Sequence, residues 1–445
     1  MLFGFKYTIF IKLSSEFVES IKVNKYKWLK GEISPPGDKS ISHRVIILGS
    51  IAQGKSKVTN FCPGYDTLRT LNALQSLGVR IEGNGTDYTI WGKGLKSLQE
   101  PPDIIDAGNS GTTTRLLTGL LGGQNFFSVI TGDASLRKRP MKRVADPLRA
   151  MGAKIDGRKG GDCAPLAIRG GNLKSITYHT PVASAQIKSA ILLAGLYADG
   201  VTEVVEPAPS RDHTEKILKA LGARIETKGT MVRIEGFSDL EAFSLFVPGD
   251  ISSAAFFVVG GTIVPGSEVI IRRVGVNPLR TGVLEVLQNM GANIKLVKKK
   301  EEGGEERADI IVKSSSLKSV EITGKLIPRT IDELPILAIA ASQAQGTTII
   351  RDAKELRVKE TDRIKTMTEG LRRLGVQVEE FEDGMAITGP QNLKGARVNS
   401  FGDHRVAMSF IIAGLIASGE TTVENTEPIA TSFPNFMQLL GSLAR

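Results

Sequence analysis

Apolar positions along this chain fall into a phrase that repeats. A leucine, a second leucine or methionine three residues on, a glycine and then a strand-like alternation recur as LQSLGVRIE at Gly78, LRAMGAKID at Gly152, LKALGARIE at Gly222, LQNMGANIK at Gly291 and LRRLGVQVE at Gly375. A fainter sixth copy, LLGSL, lies at Gly441. The glycines are 66 to 84 residues apart, so one unit is used six times. Each unit opens on a polar segment that runs into small and apolar residues and ends at a glycine followed by β-branched residues. The openings read DKSISHR (38–44), GNSGTTTR (108–115), SAQIKSA (184–190), GDISSAA (249–255), TIDELPI (330–336) and GDHRVAM (402–408). The pattern predicts helix, glycine stop, strand, a second helix closed by Leu-Gly, and one or two strands, which is a βαβαββ module of α/β type.

Six such modules exceed the roughly 250–300 residues at which a single core stops growing, so they are expected to divide three and three. The division falls near Val247-Pro248-Gly249. Strand-like sequence around Ile21 to Ile33 precedes the first unit and is free to pair with either half, which predicts two chain crossings. The expected domains are residues 1–36 plus 248–445, with 1–18 an extension, and residues 37–247.

Composition narrows the function. With 445 residues, 41% hydrophobic and 23% charged, the chain is ordinary globular protein, and global disorder is excluded. Lys and Arg number 57 against 47 Asp and Glu, a formal charge of +10 that favours anionic partners. Aromatics make up only 6% and do not interleave with the basic runs, so small phosphorylated or carboxylated substrates fit better than nucleic acid. Cys62 and Cys163 form neither a disulfide framework nor a zinc site, and His43, His179, His213 and His404 lack metal-ligand spacing. No metal, no cofactor and a reducing compartment are expected. The apolar start, Met1 to Phe10, is broken by Lys6 and Lys12 well short of the roughly 20 residues that span a bilayer, and later runs such as Phe410 to Ala417 are short too. A soluble, cytoplasmic protein is therefore expected.

One phrase misleads. Gly49-Ser-Ile-Ala-Gln-Gly54-Lys55-Ser56 matches the Walker A pattern, but it follows a predicted helix and precedes a predicted strand, the reverse of a phosphate loop.

The unit openings put polar residues at helix N-termini, where free N–H groups and the helix dipole favour negative charge. Capping alone accounts for the Ser, Thr, Asp and Asn. It does not account for Lys39, Arg44, Arg115, Lys188 and Arg405, cations within the first turns that oppose the dipole unless an anion answers them. Further cations crowd GDASLRKRPMKR (132–143), SRDHTEK (210–216) and RVKETDRIK (357–365), for which a solvated face is the plain alternative.

The phrases PPGDKSISHR, DAGNSGTTTR, SLRKRPM, SAQIK, SRDHTEK, RVKETDR and GDHRVAM, in this order and at wide spacing, resemble the 5-enolpyruvylshikimate-3-phosphate synthases from about residue 20 onward. SAQIK, RDHTE and NPLR (277–280) are similar to the class II subgroup. The resemblance implies a two-domain inverted α/β barrel of six βαβαββ units, three per domain. It implies a transferase that moves the enolpyruvyl group of phosphoenolpyruvate to the 5-hydroxyl of shikimate 3-phosphate by addition and elimination. That reaction is the sixth step of the shikimate pathway to chorismate and the aromatic amino acids. For shikimate 3-phosphate the resemblance assigns Lys39, Ser40, Arg44, Ser184, Ala185, Gln186, Arg211, Asp332 and Lys359. For phosphoenolpyruvate it assigns Lys39, Gly111, Arg139, Gln186, Arg363 and Arg405, with Arg137 a neighbour of lesser claim. Asp332, Glu360 and Lys39 are the expected proton carriers, their division of labour left open. Without the resemblance Asp332 reads as an N-cap before LPILAIAA and Glu360 as one member of a helical ion-pair face.

One position departs from the family pattern. Many members carry a lysine before Ser-Phe-Pro, where this chain has Thr431, so that contact is not carried over. Glycine at Gly111, where tolerant members often have alanine, implies inhibition by glyphosate. The related UDP-N-acetylglucosamine enolpyruvyl transferase commonly has a cysteine in the loop that here reads GDASLRKRPM, and RVKETDR favours the shikimate enzyme. A non-catalytic polyanion binder remains as a rival of another class. No nucleic-acid or membrane partner is expected, and the chain is expected to be a monomer.

Overall fold

The computed structural model describes residues 20–444, so the expected extension at 1–18 lies outside the described residues. Six small sheets follow one plan. In each, the strand that follows a buried helix pairs in parallel on one side and antiparallel on the other. These six central strands are Gln53–Thr59, Phe127–Thr131, Val201–Val205, Glu268–Gly275, Ala344–Ile350 and Thr421–Glu424.

Five copies take both partners of the closing hairpin from their own unit, and the Leu-Gly phrase explains the turn that feeds it. Gly78, Gly152, Gly222, Gly291 and Gly375 all have φ between +84° and +111°, the left-handed conformation that ends a helix without a Cβ penalty. The sixth copy departs from expectation. Gly441 lies inside the helix Phe436–Leu443, and no hairpin follows it among the described residues. The vacant antiparallel place beside Thr421–Glu424 is filled by Ser20–Val23 from the other end of the chain.

The expected N-terminal strand is two short strands, Ser20–Val23 and Lys30–Ile33, and both pair within the C-terminal half. Lys30–Ile33 pairs in parallel with Glu268–Gly275 of unit four, while Ser244–Phe246 pairs in parallel with Gln53–Thr59 of unit one. The chain thus exchanges one strand in each direction where it crosses. The crossings bind each other reciprocally: Asp38 N donates to Pro248 O at 2.7 Å and Asp250 N to Pro36 O at 2.9 Å. Each Asp then caps the helix that follows it, Asp38 accepting from Ile41 N and Asp250 from Ser252 N.

The first helix of each unit is apolar almost all round and is accordingly buried: Lys39–Ile51, Gly111–Gly122, Ala185–Gly195, Ile251–Ile263, Leu334–Ala341 and His404–Gly414. The second helices, such as Tyr65–Ser76 and Arg363–Arg373, keep one face in solvent. Apolar side chains collect into two clusters, one drawn from residues 41–247 and one from Val23, Leu29, Ile33 and residues 251–443. The Walker-like segment sits at the end of Lys39–Ile51 and the start of Gln53–Thr59, the helix-to-strand polarity that no phosphate loop has. Cys62 and Cys163 are free and buried, and burial pushes the Cys62 thiol up to about 12. No described helix is long and apolar enough to cross a membrane.

Two buried histidines set the stability of this scaffold in mild acid. His43 shares a 2.7 Å hydrogen bond with Thr70, and burial, with Lys39 and Arg44 adding repulsion, holds its pKa well below the usual range. His404 is pushed down in the same sense by burial, Lys39 and Arg405. The unfolded chain accepts these protons near its ordinary pKa of about 6.5 while the folded chain refuses them, so stability is complete above that pH and falls below it. The expected loss by pH 5.5 is about 1.4 kcal/mol per histidine. Thermal melts at pH 7.5 and 5.5 check it, and an unchanged melting temperature contradicts it.

Candidate active site

All six buried helices begin at one cleft of about 330 Å³ between the two halves. Each opening contributes a wall residue: Lys39, Gly111, Ala185, Asp250, Asp332 and Arg405. Asp38, Ser110, Asp250 and Asp403 cap their helices with side-chain oxygens. The opening at Ser184 has no side-chain cap, and Ser184 lines the cleft.

Of the fourteen residues that the resemblance assigns to substrate or proton transfer, thirteen line this cleft. Lys39, Ser40, Arg44, Gly111, Arg139, Ser184, Ala185, Gln186 and Arg211 come from the N-terminal half, and Asp332, Lys359, Glu360 and Arg405 from the C-terminal half. Arg363 is the exception. It is 1% exposed and lies behind the wall, where Nε donates to Asp403 Oδ2 at 2.7 Å, Nη2 to Glu360 Oε2 at 2.7 Å and Nη1 to Asp332 Oδ1 at 3.4 Å. One guanidinium thereby holds both carboxylates at the cleft, and the Asp403 cap holds the guanidinium.

Asp332 is not an N-cap. Glu333 takes that place without a side-chain cap bond, and Asp332 instead accepts from Arg211 and Arg363, with Arg405 Nη2 3.8 Å away. Burial alone would raise its pKa, but Arg405, Arg211, Lys359 and Arg363 outweigh burial and hold it well below the usual carboxylate range. Glu360 precedes the helix Arg363–Arg373 rather than riding on its solvent face. Arg363 and Arg139, at 2.7 and 3.7 Å, together with Lys39, overcome burial and keep Glu360 well below its usual range too. Lys39 Nζ is 2.9 Å from Asp66; burial opposes its charge, but Asp66 and Glu360 raise its pKa on balance. Burial lowers the Lys359 ammonium despite Asp332 nearby.

A family model described as EPSP synthase (3-phosphoshikimate 1-carboxyvinyltransferase) matches residues 23–440. The chain belongs to the EPSP synthase family. It is 57% identical over 423 residues to the 3-phosphoshikimate 1-carboxyvinyltransferase of Citrifermentans bemidjiense, covering 95% of this chain and 99% of that protein. It is 58% identical over 414 residues to that of Geotalea daltonii, covering 93% and 96%. Its fold matches the solved EPSP synthase from Acinetobacter baumannii with a TM-score of 0.86 at 46% identity, covering 96% of this chain and 98% of that one.

Three further arginines line the cleft to which the sequence assigns no site role. Arg280, in the NPLR phrase, lies between Asp38 at 3.4 Å and Asp250 at 3.3 Å, bridging the two crossings. Its neighbours in sequence mark a subgroup but say nothing of burial between two caps. In the sequence Arg115 reads only as a helix-opening cation. Its Nη1 donates to Gln186 Oε1 at 2.9 Å, and burial, with repulsion from Arg139 and Arg143, pulls it down to about 10. Arg143 also lines the cleft, 3.0 Å from Glu355. These two cations add to those that the resemblance assigns to the cleft. Thr431 is turned away, its hydroxyl donating to Pro428 O, and is not among the lining residues. Arg137, Lys138 and Lys142 are exposed, as the solvated-face reading has it.

A Cβ on Gly111 would meet Arg115 Nη1 at 2.7 Å and Arg139 Nη1 at 3.4 Å. Both are tips of flexible side chains, so Gly111→Ala is expected to fold normally while displacing the two guanidiniums. The expected result is a rise in KM for phosphoenolpyruvate of about tenfold, roughly 1.4 kcal/mol of binding. Steady-state kinetics check it, and an unchanged KM contradicts it.

Proposed function

We infer that this chain transfers the enolpyruvyl group of phosphoenolpyruvate to the 5-hydroxyl of shikimate 3-phosphate, releasing phosphate. Family membership over nearly the whole chain supports the reaction. The observation that carries the site is the convergence of Lys39, Arg139, Arg211, Lys359 and Arg405 on two carboxylates, Asp332 and Glu360, in one cleft. Two polyanionic substrates need that many cations, and a proton-transfer reaction needs groups that both accept and donate.

The substrates divide the cleft. Ser40, Arg44, Ser184, Ala185, Gln186, Arg211 and Lys359 are proposed to hold shikimate 3-phosphate, and Gly111, Arg139, Gln186 and Arg405 phosphoenolpyruvate, with Lys39 between them. Asp332 takes the proton of the 5-hydroxyl as its oxygen adds to carbon 2 of phosphoenolpyruvate. Carbon 3 gains a proton in that addition and loses one again as phosphate leaves, and Glu360 and Lys39, both in the cleft wall, are the groups proposed to carry it. In the free cleft Asp332 is a weak base because its cations stabilise the anion. Substrate phosphate and carboxylate groups occupy Arg211, Lys359 and Arg405, so Asp332 gains basicity as the reactants arrive. Arg363, behind the wall, orients both carboxylates.

The test is phosphate release from phosphoenolpyruvate with and without shikimate 3-phosphate. Release that requires shikimate 3-phosphate and is blocked by glyphosate is expected. Turnover with UDP-N-acetylglucosamine in its place would overturn the assignment.

A further inference from the structure

Lys188 sits in the second turn of the helix Ala185–Gly195, only two residues beyond the cleft-lining Gln186, and sequence alone counts it among the cations that await an anion. Its side chain is 3% exposed and points elsewhere. Nζ lies 2.7 Å from Glu206 Oε2 and 2.7 Å from Glu215 Oε1, and donates to Ser210 O at 3.4 Å. Burial works against this ammonium, but Glu215 and Glu206 outweigh burial and keep it charged.

Glu206 is buried and fully engaged. Oε1 accepts from Ser184 N at 2.9 Å, and Oε2 accepts from Ser210 Oγ at 2.9 Å as well as from Lys188. Ser184 opens the helix whose start faces the cleft, and Ser210 precedes Arg211, whose guanidinium meets Asp332 across the cleft. Two separate wall segments, 184–186 and 210–211, therefore hang on one carboxylate. Glu215 answers the rest of the ammonium's charge and touches neither segment in this way; burial raises its pKa, so it loses its charge more readily than an exposed glutamate.

We propose that the buried Glu206–Lys188 ion pair is a positioning element for shikimate 3-phosphate, setting the spacing between the Ser184 amide and the Ser210–Arg211 loop. Neither residue touches substrate. The pair rests on the site reading above, because its effect is felt only where Ser184 and Arg211 grip the ligand. A misplacement of a fraction of an ångström between two such segments weakens a bidentate anion grip while leaving the phosphoenolpyruvate arginines untouched.

The test is steady-state kinetics and thermal melting of Glu206→Gln, which keeps the shape and removes the charge. The expected result is a KM for shikimate 3-phosphate raised about tenfold or more, with kcat within about twofold and the KM for phosphoenolpyruvate, which meets these segments only at Gln186, raised by no more than about threefold. A melting temperature that drops while the KM for shikimate 3-phosphate stays within about twofold would make the pair a folding device only and overturn the proposal. Equal increases in both KM values would overturn it too. If Glu206→Gln does not accumulate, the charge-balanced pair Lys188→Met with Glu206→Gln carries the same expectation and the same refutation. Wild-type protein and Ser184→Ala run alongside: no turnover by wild type, or no effect of Ser184→Ala, strikes at the site reading rather than at the ion pair.

Discussion

Asp332→Asn is expected to lower kcat about a thousandfold without raising the KM for shikimate 3-phosphate. Asparagine fills the same volume between Arg211, Arg363 and Arg405 but cannot take a proton from the 5-hydroxyl. It also removes one negative charge from a pocket built for anions, so ground-state binding of the phosphate should hold or tighten. The separation of kcat from KM is the point of the measurement. A mere capping residue would give a modest loss of stability and leave kcat alone; kcat within about tenfold of wild type would remove Asp332 from the chemistry.

Arg363→Met is expected to be the most destabilising single change at the site. Methionine matches the stem but leaves Asp403, fully buried, and Glu360 without their shared cation. Removing one partner of a buried ion pair costs about 3–5 kcal/mol, which for a chain of this length corresponds to a fall in melting temperature of roughly 3–5 °C. Activity should fall with it, since Asp332 and Glu360 both lose their anchor. Arg363→Lys is expected to regain part of the stability and little of the activity, because an ammonium cannot reach three carboxylates in the fork that the guanidinium forms. Melts and kcat for the two variants check this, and an unchanged melting temperature for Arg363→Met contradicts it.

The two predictions concern residues that the motifs name but whose roles they do not separate. RVKETDR and GDHRVAM mark Arg363 and Arg405 alike as arginines of one site. In space Arg405 reaches the cleft wall, while Arg363 is bound behind it by Asp403, forty residues on. Lys39 and Lys188 likewise look equivalent as cations near a helix start. Lys39 keeps its place in the cleft beside Asp66, whereas Glu206 and Glu215 draw Lys188 out of it. The exchanged strands were equally hidden, since Ser244–Phe246 and Gln53–Thr59 lie nearly two hundred residues apart and each reads only as a strand.

Local pattern was enough for five complete modules and the opening of a sixth, their helices and strands, five of the six glycine stops, the division in two and the family of motifs. These follow from periodicity, capping and backbone conformation, which act within a few residues. Partnership across the fold decided which cation lines the cleft, which is neutralised away from it, and which carboxylate stays ionised. Charge and hydrogen bonding act through distance in space, and a chain records distance only along itself, so chemically identical side chains acquire different roles once folding brings their counter-charges to them.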